Sequence, residues 1–87
     1  MPEISRFFGI IISLYLKDHQ PPHFHAKYGE YWGKFDIATG EMMQGNLPGR
    51  ALRLVQDWVE LHRDELFANF AEAQKDNPSI KPIEPLL

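Results

Sequence analysis

Between residues 8 and 16 the even positions Phe8, Ile10, Ile12, Leu14 and Leu16 are large and apolar, whereas Gly9, Ser13 and Tyr15 interrupt the odd ones. A period of two predicts a half-buried strand over residues 8–16. Asp18-His19-Gln20-Pro21-Pro22 follows as a connection, because two prolines remove two backbone donors and push the preceding residue towards an extended conformation. In residues 23–28 Phe24, Ala26 and Tyr28 share one face, and His23, His25 and Lys27 the other. Tyr28-Gly29-Glu30 reads as a tight turn into a third strand, where Tyr31, Gly33, Phe35 and Ile37 alternate with Glu30, Trp32, Lys34 and Asp36. Ala38-Thr39-Gly40 turns again into a short strand over residues 41–44, which Gly45-Asn46 ends.

The period then changes. Pro48 suits a first helical position, where a missing N–H costs nothing, and the pattern predicts one helix from Pro48 to Gln74 or Lys75. Ala51, Val55, Trp58, Val59, Leu66, Phe70 and Ala73 share one side of it, and Arg53, Gln56, Asp57, Glu60 and Asp64 the other. His62 and Asn69 also fall on the apolar side. Asp76-Asn77-Pro78 stops the helix, and Pro82 and Pro85 space the remainder as an extended tail. The expected fold is α+β: a small antiparallel meander of three to four strands covered by one long C-terminal helix. It forms a single domain over residues 1–87, divided into a meander (1–46), a helix (48–75) and a Pro-rich tail (76–87). The apolar residues Ile80, Ile83, Leu86 and Leu87 predict that this tail docks on a partner or on the sheet edge.

Composition narrows the function. At 87 residues there is room for one core, and 44% hydrophobic residues suit a soluble globular chain. The apolar run after Arg6 is too short to span a bilayer and has no cleavage site, so a cytoplasmic protein is expected. With no cysteine, disulfides, thiol nucleophiles and Cys-ligated metals are excluded, and any metal would use His, Asp or Glu. The net charge of -3 disfavours a dedicated nucleic-acid binder. Residues 1–56 carry six basic and five acidic side chains, net +1, whereas residues 57–87 carry three and seven, net -4.

Three of the four histidines lie in Asp18-His19-Gln20-Pro21-Pro22-His23-Phe24-His25. Residues two apart on a strand share a face at about 6.6 Å, so His23 and His25 can converge on one divalent metal such as zinc, with His19 or Asp18 as a further ligand. Alternatively, His23 and His25 act as an acid and base pair, Asp18 orienting one ring. A structural reading competes with both: the rings bond backbone groups and the prolines lock a turn. Because Phe24 and Tyr28 are the better core residues, His23 and His25 are expected on the open face of the sheet. His62 is then separate from them, bonded to a local acceptor.

On that open face Tyr15 and Trp32 would flank His25 beside Lys27 and Lys34, a surface suited to a protein interface or, less well given the charge, to unstacked bases. Arg50, in the first helical turn, could hold an anion there. Arg53 is expected to pair with Asp57 on the exposed side. No Gly-rich phosphate loop or Ser-centred nucleophile elbow occurs.

The stretch from Asp18 to Ala26, preceded by Pro2-Glu3-Ile4-Ser5-Arg6-Phe7-Phe8-Gly9 and followed by Leu47-Pro48 and Trp58-Val59-Glu60-Leu61-His62, resembles the small prokaryotic family catalogued as domain of unknown function 4160. The resemblance covers nearly the whole chain. Its motif positions are Asp18, His19, Pro21, Pro22, His23, Phe24 and His25, then Trp58, His62 and Leu66; Phe70 stands where related sequences often have Trp. The resemblance implies a small component of a two-gene, toxin–antitoxin-like module with a protein partner from a neighbouring gene. It supplies no catalytic residue. Two other functions remain open: a His-dependent RNA endonuclease using His19, His23 and His25, and a structural binding subunit, alone or as an oligomer.

Overall fold

The computed structural model describes residues 2–87. Five strands precede one helix: β1 (Glu3–Phe7), β2 (Ile10–Ser13), β3 (His23–Tyr28), β4 (Tyr31–Asp36), β5 (Met42–Asn46) and α1 (Gly49–Ala73). Every neighbour pairs antiparallel in the order β1-β2-β3-β4-β5, so the sheet is a simple meander. The α+β class stands, with five strands in place of three to four.

The additional strand corrects the reading of residues 8–16. Phe8 and Gly9 take positive φ values of 49° and 79° and form a two-residue hairpin turn between β1 and β2. Both central residues of such a turn occupy the left-handed region, which matches the twist of the flanking strands. Phe8 is therefore 54% exposed, and Leu16 also lies outside. Ile10, Ile12 and Leu14 keep the expected parity and are buried. The last strand also runs further than expected. Gly45 pairs with Gly33 and Asn46 with Trp32, so both belong to β5. A Cβ at Gly45 would lie 2.2 Å from the Trp32 carbonyl oxygen, which leaves room only for glycine.

Pro48 takes the N-cap position, not the expected first helical one, and makes no side-chain capping bond, while Gln74 takes the C-cap position, so α1 is slightly shorter than expected at both ends. All seven residues assigned to its apolar side are buried. Trp58 packs on Phe7 and Phe24 at ring-centroid distances of 5.5 and 5.8 Å, and Phe24 stacks on Phe35 at 5.3 Å. These aromatics hold helix and sheet together, in keeping with the large share of core energy that aromatic burial supplies. His62 leaves helical geometry, with φ -129° and ψ 22°.

The tail folds back. Ile83 is buried, and its N–H donates to the Ile4 carbonyl of β1 at 2.8 Å. Trp58 Nε1–H donates to the Glu84 carbonyl at 2.8 Å. The tail thus lies against the β1 edge and α1. No helix among the described residues is long and apolar enough to cross a membrane.

Candidate metal and interaction site

The loop from Leu14 to Pro22 carries the chemistry, and backbone bonds fix it at both ends. Leu14 N–H donates to the Pro2 carbonyl at 3.1 Å, and Lys17 N–H to the Ala73 carbonyl at 2.8 Å. Ile37 N–H then bonds the Pro22 carbonyl at 3.1 Å, where the chain enters β3. The loop is thereby pinned between the end of α1 and the start of the sheet.

Asp18 becomes the centre of a cluster. Its Oδ1 accepts the His19 backbone N–H at 2.8 Å, and its Oδ2 lies 2.7 Å from His23 Nε2 and 3.7 Å from His25 Nε2. His23 Nδ1 lies 2.7 Å from the Pro21 carbonyl oxygen. The two imidazole rings meet edge-on at 5.3 Å, and Tyr15 covers His25 at 4.3 Å. The donor atoms of Asp18, His23 and His25 fall within 4.8 Å of one another.

The environment tunes these groups unequally. Burial works to raise the Asp18 carboxyl, but the His19 amide, the charge of His23 and the contacts of both imidazoles prevail, and it is held below its ordinary range. Asp18 is therefore ionised near neutrality. Burial, with the neighbouring His23 and Lys34, pushes the His25 imidazole down despite the pull of Asp18. His25 Nε2 is buried and has no hydrogen-bond partner, since 3.7 Å is too long for one.

Two expectations for the histidines need correction. His23 is only 2% exposed, not on an open face: Phe70 of α1 reaches its ring at 5.7 Å and the Asp18 loop closes over it. Alternation along β3 told which side the ring leaves from, but not that the loop would cover that side. His19 has an exposed side chain and is not one of the three clustered residues; only its backbone N–H enters the site. His25 does lie beside the open face, paired across strands with Ser13 and Lys34.

That face holds the expected aromatic and basic surface. Tyr15, His25, Lys27 and Trp32 line a cavity of about 110 Å³, with Trp32 49% and Tyr15 42% exposed. Lys27 stands opposite Trp32, and Lys34 opposite His25. Neither lysine has a carboxylate partner among the described residues. Arg50 stands apart, lining a different cavity with Phe8, Tyr28 and Leu54. Arg53 is exposed and pairs with no carboxylate among the described residues, so the expected bond to Asp57 is absent. His62 is also separate, its Nδ1 bonded to Glu65 at 2.7 Å.

Fold and site together define a small α+β protein with a histidine-bearing loop clasped between sheet and helix. The family model described as a domain of unknown function (DUF4160) matches residues 9–71, and the chain belongs to that family. No curated protein and no solved structure matches it.

Proposed function

We propose that this protein is the small, cytoplasmic component of a two-gene, toxin–antitoxin-like module, and that it binds a protein partner through the open face of its sheet. One observation carries the reading: Trp32 and Tyr15 remain half-exposed on a face where Lys27 and Lys34 have no carboxylate partner. Large aromatics serve as anchors when a partner desolvates them, and unpaired charges at their rim select a complementary surface. The partner's matching surface is apolar at its centre and acidic around it. Co-expression with the product of the adjacent gene tests this. A stable complex is expected, weakened more than about tenfold by Trp32→Ala, which is about 1.4 kcal/mol. Lys34→Glu weakens it further by opposing the partner's charge. Absence of a complex, or one indifferent to both changes, rejects the reading.

A second reading is favoured by the Asp18, His23 and His25 cluster beside this face, an arrangement able to activate water or move protons. There the chain acts as a metal-assisted RNA endonuclease, with Trp32 and Tyr15 stacking bases. Cleavage of single-stranded RNA by the purified chain, lost in His25→Gln, would establish it.

A further inference from the structure

We propose that Asp18, His23 and His25 bind a divalent transition-metal ion of the zinc class, through one carboxylate oxygen and the Nε2 atom of each imidazole. This goes beyond partner binding and does not depend on it, and it names the metal and ligands that the endonuclease reading invokes without requiring any cleavage. Tetrahedral coordination at about 2.0–2.2 Å sets donor atoms roughly 3.3 Å apart. Here the Asp18 Oδ2 distances are 2.7 Å to His23 Nε2 and 3.7 Å to His25 Nε2, which straddle that value. A movement of the Asp18 side chain away from one ring and towards the other brings both near it, and the two imidazole nitrogens, which with Asp18 Oδ2 fall within 4.8 Å of one another, close around the ion with it.

Hydrogen-bond accounting points the same way. Each ring nitrogen of His23 faces an oxygen that only accepts: the Pro21 carbonyl at Nδ1 and the ionised Asp18 carboxylate at Nε2. A neutral imidazole has one N–H and serves one of them, so without a metal ion only the imidazolium form serves both. With a cation on Nε2, the single proton sits on Nδ1 and donates to Pro21. That is the contact by which a metal-bound histidine is normally oriented. The same cation answers a second, independent need, because His25 Nε2 is buried without a partner and is aimed towards the same carboxylate oxygen.

The donor set selects the class of ion. Two imidazoles and one carboxylate suit zinc and its first-row neighbours, whereas magnesium and calcium prefer all-oxygen sites. Three protein donors leave a coordination position for water, which is the arrangement of catalytic sites and not of closed structural ones. His19 is outside the set. Its backbone N–H holds Asp18 Oδ1, which leaves Oδ2 to the ion.

The test uses the full chain stripped with chelator and titrated with Zn²⁺ by calorimetry, with Mg²⁺ in parallel and Co²⁺ absorption to report coordination. The expected result is one Zn²⁺ per chain, no comparable Mg²⁺ binding, and a cobalt spectrum of low coordination number. His25→Gln and Asp18→Asn should each weaken Zn²⁺ binding by more than about 100-fold, beyond the range seen for outer-shell partners. Both keep near-parental circular dichroism, His25→Gln also keeps near-parental melting while Asp18→Asn melts lower for want of its charge, and His19→Ala keeps full Zn²⁺ affinity. Zn²⁺ binding that survives in folded His25→Gln and Asp18→Asn, that is lost in folded His19→Ala, or that Mg²⁺ matches would overturn the proposal. So would no binding by the parent chain.

Discussion

Asn69 grips both backbone polar groups of Lys81: its Nδ2–H donates to the Lys81 carbonyl at 2.8 Å, and its Oδ1 accepts the Lys81 N–H at 3.0 Å. A buried asparagine on the apolar side of α1 is thus explained by the tail it holds. Asn69→Leu removes two bonds at once and leaves the backbone of Lys81 without partners. A loss of roughly 2 kcal/mol is expected, about 1 per bond, read as a lower urea midpoint. An unchanged midpoint would mean that these two bonds contribute nothing to stability.

Deleting residues 79–87 should act in the same direction and more strongly. It strips the cover from Ile4 and removes the acceptor of Trp58 Nε1–H. Increased binding of a hydrophobic dye and reduced solubility are expected. Retention of both parental properties would contradict the docking of the tail.

Trp58 is fully buried between sheet and helix, so Trp58→Ala should cost about 3–5 kcal/mol. That is most of the stability of a domain this small. Denaturation followed by circular dichroism should find the variant largely unfolded or with a far lower midpoint.

The two clustered histidines should separate under mutation. His23 is buried with an acceptor oxygen 2.7 Å from each ring nitrogen, so His23→Ala should cost about 1–3 kcal/mol. His25 is less buried and its Nε2 makes no hydrogen bond, so His25→Ala should cost less than about 1 kcal/mol. Equal costs, measured by urea titration in the presence of chelator, would contradict the geometry.

Acid should destabilise the fold in two stages, also with chelator present. The folded His25 imidazole lies below its ordinary 6.5, so folding favours the neutral ring. Its contribution is full above about pH 6.5 and is lost as pH falls through the lower folded value. Asp18 has the same sign: its contribution is present above the ordinary 3.8 and fades as pH falls through the still lower folded value. The slope of stability against pH just below 6.5 should flatten in His25→Gln. An identical slope in parent and variant would assign the first stage to another group.

Period and parity made most of the core legible. Ile10, Ile12, Leu14, Phe24, Ala26, Phe35 and Ile37 point inward as alternation requires, and the apolar stripe of α1 is buried throughout. The β1–β2 hairpin was hidden for a physical reason. Its turn is built from Phe8 and Gly9, and a phenylalanine at positive φ carries no turn signature, while the apolar parity runs on through it. Asp18, His23 and His25 were legible as candidates from spacing alone. Their depth was not, because it depends on Lys17 meeting Ala73, 56 positions away in the chain, a contact with no local trace. The same fold of the loop turns the His19 side chain outward, where spacing had left it equal to Asp18.

The docked tail has a consequence for the sheet's own edge. At Ile4 the tail takes up a β1 backbone carbonyl and lays the buried Ile83 beside it, and covering an edge strand with a segment of the same chain is one way in which natural sheets discourage pairing with strands of other molecules. The Pro-rich segment thus guards the first strand at the point where it docks.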